Sequence, residues 1–502
     1  MDPMKFLLMS ATIFGLYSTD NGSVAILTNS VNRCDAPPCR CDVFARLTCD
    51  CDNEPEELVL TTEGDRRLSP HTTRIMISNC PSVRLVNSSL TSMGGLRAIS
   101  FENIGNLTLY PQSFELATRD TPAKISITNS SMDLLPSFTF KGDVEVIHLQ
   151  NVRIGQVNAF AFSNLVGTET MTLDNCVIDT MEAQAFKKFD VGYLHVIGGT
   201  FGDVVPSRAM NDIEVTSKFM LDGVRMGTVR SSAFIIRRPR TVAIQNCDFG
   251  TIEGQAFSVT TTGAVIMKNN TFGNLNVGAF LDIKTDPEYQ SYHNNNNNNN
   301  NGRLNDLIFK NNSIKTFEEG SVMFDRGSFR PELDGILVNH NCECSAIPVW
   351  RGNVLNYSNV YAKFYSMSVP DEPINVGPET FLCLDFDADF TPVTFNEYEA
   401  RYCSISNSTL LFVLVLVGSI VVLLVGGFLI VWCCRRQREN NQKRWISVPT
   451  NAPDVVSKKN GVIARDAPVD SRITMVVPDG RVYRETEFHV IVEKAEPLTT
   501  EL

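Results

Sequence analysis

Histidine is scarce in this chain, with 6 residues among 502, and the motifs of several large enzyme classes are missing. The sequence contains no G-x-S-x-G, no H-E-x-x-H, no phosphate-binding Walker loop and no dinucleotide-binding glycine motif. His148 and His195 fall between apolar residues of a repeated strand pattern and are expected on an outer surface. Because no base pairs with a nucleophile, the sequence predicts a protein that is not an enzyme and has no cofactor.

An excess of positive charge is also missing, since the formal net charge is −12. Surfaces that bind nucleic acids need clustered Lys and Arg to neutralise phosphates. The acidic balance therefore argues against a nucleic-acid partner.

Two apolar segments set the expected topology. Residues 4–18, "MKFLLMSATIFGLYS", have Lys5 before a short apolar run and small or polar residues after it, which is typical of a secretory signal peptide at residues 1–18. Residues 410–432 carry no charge and are long enough to cross about 30 Å of hydrocarbon. "CCRRQR" follows directly, and the positive-inside rule places it in the cytosol. We expect a single-pass type I protein of the plasma membrane, with its N-terminus outside.

Sequons for N-glycosylation occur only before the second apolar segment, which agrees with this topology. The predicted glycosylation sites are Asn21, Asn87, Asn106, Asn129, Asn269, Asn311, Asn356 and Asn407.

One apolar pattern recurs along the chain. Residues 171–186, "MTLDNCVIDTMEAQAF", and residues 242–257, "VAIQNCDFGTIEGQAF", share the skeleton φ-x-φ-x-x-N/C-x-φ-x-x-φ-x-x-x-A-F, where φ is apolar. Further copies start near Ile147, Phe219 and Val265, and looser copies start at Ile75, Ile99, Ile125, Leu194, Leu307 and Ile336. The step is about 24 residues, which indicates a solenoid. One unit cannot close a core, whereas stacked units bury a continuous one.

This spacing resembles the extracellular leucine-rich repeat, in which the Asn or Cys position lies inside the coil. "CDAPPCRCDVFARLTCDC" at residues 34–51 and the Cys-x-Cys of Cys342 and Cys344 resemble the two cysteine-rich caps of that family. The resemblance implies an α/β-type solenoid dominated by short parallel strands, a horseshoe of about ten to eleven coils. One transmembrane helix and a mostly disordered tail complete the predicted architecture. A parallel β-helix is the alternative ectodomain fold.

The expected domains follow from these features. They are a signal peptide at 1–18, an N-terminal cap at 34–60, a solenoid at 61–341 with an Asn-rich insertion at 286–302, a C-terminal cap at 342–403, a transmembrane helix at 410–432 and a cytoplasmic tail at 433–502.

The cysteines before the membrane segment face an oxidising compartment. The resemblance to the caps implies four disulfides, Cys34–Cys41, Cys39–Cys49, Cys342–Cys383 and Cys344–Cys403. Cys80, Cys176 and Cys247 occupy the inward repeat position and are expected as buried thiols, with a Cys51–Cys80 bond as an alternative for the first. No His lies at ligand spacing from the Cys-x-Cys pairs, so we expect no metal.

The outward residues of each repeated strand form two columns. One column is predicted to contain Ser100, Ser126, His148, Thr172, His195, Met220, Ala243, Ile266, Ile308 and Leu337. The next is predicted to contain Glu102, Thr128, Gln150, Asp174, Ile197, Asp222, Gln245, Lys268, Lys310 and Asn339. An apolar row edged by charge is a candidate docking site for a protein, so the predicted partner-binding residues are Ile266, Lys268, Ile308, Lys310 and Leu337. Single exposed apolar residues are also common on ordinary surfaces.

The tail offers three weaker signals. Cys433 and Cys434 beside the membrane segment are candidate palmitoylation sites. "VVPDG" and "FHVIV" predict a small hairpin or a strand that pairs with a partner. The terminal "TTEL" resembles a PDZ-domain ligand, with Thr500 and Leu502 as the recognised residues.

These features together predict a cell-surface receptor or adhesion protein that binds a protein ligand outside and recruits a cytosolic PDZ scaffold. A co-receptor or trafficking chaperone for another membrane protein is the alternative function.

Overall fold

The structure is a computed structural model that describes residues 33–52, 56–64, 66–116, 121–289, 304–355, 377, 379–403, 407–443, 475–476 and 482–483. The chain divides into two compact units, Met1–Ser406 and Asn407–Leu502. The first contains a β-solenoid of about 11 turns, which confirms the predicted fold class. The second contains one long apolar helix.

A typical coil consists of three short parallel strands joined by tight corners. Thr168–Asp174 is followed by Val177–Met181, and the chain then enters Phe186–Ile197. The first half of Phe186–Ile197 completes that coil, and its second half begins the next, because it pairs with both Phe162–Val166 and Thr168–Asp174. The return side of the coil is therefore built from strands. We call the three sides the first, second and third faces, in chain order.

The first face contains Arg46–Asp50, Arg74–Ser78, Ala98–Glu102, Ala123–Thr128, Thr168–Asp174, Thr241–Gln245, Ala264–Lys268, Asn305–Lys310, Phe329–Asp334 and the second halves of Phe140–Gln150, Phe186–Ile197 and Met210–Asp222. The second face contains Leu58–Leu60, Ser82–Leu85, Asn106–Leu109, Ser131–Leu135, Arg153–Val157, Val177–Met181, Thr200–Val205, Arg225–Val229, Asp248–Ile252, Thr271–Leu275, Ser313–Phe317 and Ile336–Asn341. The third face contains Phe114–Leu116, Phe162–Val166, Phe234–Arg237, Phe257–Thr261, Ile283–Thr285 and the first halves of the three long strands.

A column of phenylalanine rings runs through the core beside the third face. Phe162 stacks on Phe140 with ring centroids 4.6 Å apart and on Phe186 with centroids 4.5 Å apart. Stacked aromatic pairs add about 0.5–1.5 kcal/mol beyond the burial of their area. The alanines before these rings, such as Ala161 and Ala185, are fully buried. The Ala-Phe pair therefore recurs because the corner holds a small buried residue, and the ring after it packs on the next coil.

The corner between the first and second faces holds a residue with positive φ in successive coils. These residues are Asn79, Asn103, Asn129, Asn151, Asn175, Gly198, Gly223, Asn246, Asn269, Asn311 and Gly335, and we call them the asparagine corner. Glycine and asparagine tolerate this left-handed conformation best. The asparagines also pair along the stack, since the Nδ2 atom of Asn175 donates to the Oδ1 atom of Asn151 at 2.8 Å.

Disulfides close both ends of the solenoid. Four of them join the pairs implied by the cap resemblance: Cys34–Cys41, Cys39–Cys49, Cys342–Cys383 and Cys344–Cys403. The fifth joins Cys51 to Cys80, so the expectation of a buried thiol at Cys80 is wrong. The two cysteines follow neighbouring strands whose residues Asp50 and Ser78 pair, which brings their Cα atoms to 4.7 Å, within disulfide reach.

The C-terminal cap combines one helix, Ile347–Leu355, with the strand Phe381–Asp385, which pairs antiparallel with Thr391–Thr394. Phe381–Asp385 also extends the second face by pairing with Ile336–Asn341. Short helical turns occupy Arg33–Asp35, Phe386–Ala388, Phe395–Tyr398 and Glu399–Cys403.

Within the residues that the structure describes, the ladder of the second face is interrupted at one point. Asn106–Leu109 pairs with Ser82–Leu85 but not with Ser131–Leu135, so the face divides into two sheets at this point. The buried residues Leu107 and Leu109 are two positions apart, whereas Met132 and Leu135 are three apart. A shift of one residue between two neighbouring strands reverses which of their side chains point inward. The hydrogen-bond ladder therefore does not continue from Asn106–Leu109 to Ser131–Leu135.

The second unit begins with the α-helix Asn407–Lys443, which includes the predicted transmembrane residues 410–432. Its segment Leu411–Arg438 contains an 18-residue window with a mean hydropathy of 3.0 and is long and apolar enough to cross a membrane. In the tail, Met475–Val476 pairs antiparallel with Val482–Tyr483. The "FHVIV" segment lies outside the described residues.

Candidate partner-binding face

The outward columns of the first face have the register that the repeat pattern predicts, from Ser100 to Ile308. His148 lies beside Thr172, Thr172 beside His195, and His195 beside Met220. Ile266 lies between Ala243 and Ile308 in the same column. The fixed number of residues between successive strands therefore places these side chains in one row across the sheet.

The last predicted position of each column is wrong. Ile336–Asn341 pairs with Ser313–Phe317 and belongs to the second face, so Leu337 and Asn339 are not on the first face. The first-face strand of this coil is Phe329–Asp334, which places Glu332 beside Ile308 and Asp334 beside Lys310. The apolar row therefore ends at Ile308 and meets a carboxylate.

The apolar row is less accessible than the sequence predicts. Met220, Ile266 and Ile308 are half-buried, and Ala243 is only 4% exposed. Side chains on adjacent strands of a sheet are about 5 Å apart and cover each other's flanks. The row thus presents a shallow apolar strip.

The two lysines at the edge of this strip differ in their pairing. Lys310 contacts Glu332 at 2.5 Å and Asp334 at 3.9 Å, and its hydrogen bond to Glu332 raises the pKa of the ammonium group. Lys268 is half-buried and forms no ion pair within the part of the chain that the structure describes. Of the two lysines predicted to edge the docking site, Lys268 is therefore more available to a partner than Lys310.

Polar residues occupy the other half of the same column, where His195 is the most constrained. Its ring lies edge-on to that of Tyr193, with centroids 5.7 Å apart, and its Nε2 atom is buried without a hydrogen-bond partner among the described residues. Burial and, to a smaller extent, the nearby Lys218 lower the pKa of His195. Near neutral pH the first face therefore carries a neutral imidazole here.

The structure places the remaining predicted sites as follows. Asn129, Asn269 and Asn311 are exposed members of the asparagine corner, Asn87 is exposed, and Asn106 is half-buried on the second face. Asn407 is the first residue of the long helix, which also carries Cys433 and Cys434 as exposed free thiols. Asn21, Asn356, Thr500 and Leu502 lie outside the described residues.

The asparagine corner is the main feature of this surface that the repeat pattern did not predict. Its signal in the sequence is an Asn or Gly immediately before each inward repeat position. Among models of known protein families and among curated proteins, none matches this sequence. The geometry of the faces therefore carries the functional argument.

Proposed function

We propose that this chain is a single-pass cell-surface protein of the leucine-rich repeat type that binds a protein ligand through its first face. The observation that carries the proposal is the open parallel sheet with its apolar strip, Met220, Ala243, Ile266 and Ile308, in a chain that also has one apolar helix. Stacked repeats provide extended surfaces of this kind for partners. Binding would bury the strip and bring a carboxylate of the ligand to Lys268.

Two features support the leucine-rich repeat assignment. The inward position holds buried asparagines in two coils, and Asn270 donates its side-chain amide to the carbonyl of Ile244 at 2.9 Å. Disulfide-linked caps cover both ends of the solenoid. The same features suit a binding role better than an enzymatic one.

The proposed orientation places the solenoid outside the cell and the tail in the cytosol, at the plasma membrane. Arg435, Arg436 and Arg438 follow the apolar segment and favour this direction. An epitope added after Leu502 should be stained only after cells are permeabilised. Staining of intact cells would reverse the proposed topology.

The binding face is tested by placing one carboxylate at different points of the same column. In full-length protein on living cells, with a peroxidase fused to the mature N-terminus, Ile266→Glu and Ile308→Glu should each reduce proximity labelling of the ligand several-fold. Ser126→Glu, which lies in the polar half of the column, is the matched control and should not. Equal labelling by all three variants at equal surface expression would remove the first face from the proposal.

The same labelling separates the alternatives for cellular role. Partners found on neighbouring cells in co-culture support adhesion, and secreted partners support a receptor. Partners found only in the same membrane support a co-receptor or trafficking chaperone. In every case the tail would act by recruitment, through a PDZ scaffold bound to Thr500 and Leu502.

A further inference from the structure

A crevice opens on the second face where its ladder is interrupted. Its two sides are Asn106–Leu109 and the segment from Asp133 to Ser137, and its volume is about 480 Å³. Pockets that hold small molecules have volumes of roughly 300–1,000 Å³. The crevice forms because the spacing of inward residues differs between the two strands. The first strand buries Leu107 and Leu109, two positions apart, and the second buries Met132 and Leu135, three positions apart.

Much of the lining of this crevice is apolar, although Asp133 and Asn158 also line it, and one lining residue belongs to a sequon. Tyr110 and Leu134 line it and are each 41% exposed, and Pro111 and Pro136 lie beside them. Asn106, in Asn106-Leu107-Thr108, also lines the crevice. Its backbone N–H donates to Pro81, whereas its side-chain amide makes no hydrogen bond among the described residues.

We propose that the crevice is filled by the first sugars of an N-linked glycan on Asn106. The apolar C–H face of a pyranose ring packs well on an aromatic side chain, and Tyr110 supplies one at the far end of the strand. Hydroxyl and acetamido groups of the sugar would reach the edge of Asn106–Leu109, which has a strand partner on one side only. The glycan would thus cover the step that the protein ladder leaves open.

The modification is an ordinary group transfer. The Asn106 Nδ2 atom loses one proton and forms a bond to C1 of N-acetylglucosamine, while the bond from C1 to the phosphate oxygen of a lipid-linked pyrophosphate donor breaks. The lipid pyrophosphate leaves. Because Asn106 is half-buried in the folded protein, transfer would take place before this coil is complete.

The other described sequons provide the contrast. Asn129, Asn269 and Asn311 are exposed on the asparagine corner, where a glycan would extend into solvent. The inference rests on the proposed topology, because the donor is found only in the secretory pathway. The glycan on Asn106 is distinguished by its contact with protein.

The test is the accessibility of each glycan to peptide N-glycosidase F on full-length protein at the cell surface. Digestion of the native protein in ¹⁸O-water converts each released site to ¹⁸O-labelled Asp, and digestion after denaturation in ordinary water releases the rest. Asn269 and Asn311 should be labelled in the native step and Asn106 only after denaturation. Tyr110→Ala, a truncation of an exposed side chain, should move Asn106 into the native step.

Three results would distinguish a failure of the crevice inference from a failure of the proposed topology. Release of Asn106 as fast as Asn269 would remove the crevice from the inference. An unmodified Asn106 beside a modified Asn269 would overturn the inference and leave the topology intact. Absence of sugar from every sequon would overturn the topology and the inference together.

Variants of the Asn106 sequon test, through thermal stability, whether the glycan fills the crevice. Thr108→Ala should remove the glycan and lower the thermal midpoint, whereas Thr108→Ser keeps the sequon and should keep the midpoint. Thr271→Ala, which removes the exposed glycan of Asn269, is the matched control with a small effect. Equal midpoints for Thr108→Ala and Thr108→Ser would contradict a glycan that fills the crevice.

Discussion

The Oδ1 atom of Asn312 accepts two hydrogen bonds from Asn270, one from its backbone N–H at 2.9 Å and one from its side-chain amide at 3.0 Å. Both residues are fully buried. Asn312→Ala would leave two N–H groups of Asn270 without a partner, the backbone one and one of the two on Nδ2, at a cost of about 1–3 kcal/mol for each. The other Nδ2–H group keeps its bond to Ile244. We expect a clearly lower thermal midpoint, with the exposed Asn274→Ala as the control. An unchanged midpoint would show that water replaces Asn312.

Buried thiols at Cys176 and Cys247 should be unreactive in the native protein. Burial raises the pKa of both to about 11, so almost no thiolate exists at pH 8. Iodoacetamide should modify them only after denaturation without reductant, and a disulfide at either residue would contradict this prediction.

The raised pKa of the buried thiols also predicts that the stability of the solenoid depends on pH. The folded state favours the neutral thiol, so its contribution to stability is complete below the unfolded pKa, about 8.5, and is lost as pH rises toward 11. Unfolding midpoints measured between pH 8 and pH 11 should fall for the wild type and fall less for Cys176→Ala.

Glycine at position 227 allows close approach of two coils. A Cβ atom added there would lie 2.2 Å from the backbone oxygen of Asp203. We expect Gly227→Ala to destabilise the solenoid by roughly 1–3 kcal/mol, the usual range for overpacking. Gly94→Ala, where the added atom meets nothing within 4 Å, should have little effect. Equal thermal midpoints for the two variants would show that the strands separate without strain.

Arg238 holds the first residues of the Asn-rich insertion. It contacts Asp286 at 3.2 Å and Glu288 at 2.5 Å, and the hydrogen bond to Asp286 is the main cause of its raised pKa. We expect Arg238→Ala to increase limited proteolysis at residues 286–289. Arg237→Ala, which removes a contact to Asp212 instead, is the matched control. Equal cleavage rates would assign the anchoring to other contacts.

The C-terminal motif is tested with peptides of the last ten residues. A PDZ groove binds the terminal carboxylate, the hydroxyl two residues earlier and the final apolar side chain. Leu502→Ala should abolish binding to a panel of PDZ domains in fluorescence polarisation, whereas Glu501→Ala should weaken it modestly. If no domain distinguishes the wild-type peptide from Leu502→Ala, the partner of the tail must be sought around Tyr483.

The sequence predicts the first face well because its strands are separated by near-constant intervals. It fails at the last coil for a physical reason. Pro331 and Leu333 there replace the inward pair Leu307 and Phe309 of the preceding strand, so the apolar pattern of the next strand, Ile336–Asn341, matches the repeat better. A pattern of apolar residues does not distinguish two consecutive strands of one coil when both have alternating burial.

The candidate partner-binding site was also only partly predictable from the spacing of apolar residues. The columns follow from spacing, whereas the half-burial of Ile266 and Ile308 and the pairing of Lys310 depend on neighbours that only the folded sheet brings together. The crevice beside Asn106 was not predicted, because its origin is a shift of one residue between two coils whose overall patterns look alike.

The disulfide between Cys344 and Cys403 has a mechanical consequence. Cys403 lies four residues before the helix Asn407–Lys443, and Cys344 lies three residues after the last solenoid strand. The sequence separation of the two cysteines is 59. A pulling force that enters from the long apolar helix therefore passes through the sulfur–sulfur bond directly into the end of the solenoid. The intervening cap segment is bypassed by this path, and it can unfold or rearrange without lengthening the connection between the repeats and the helix.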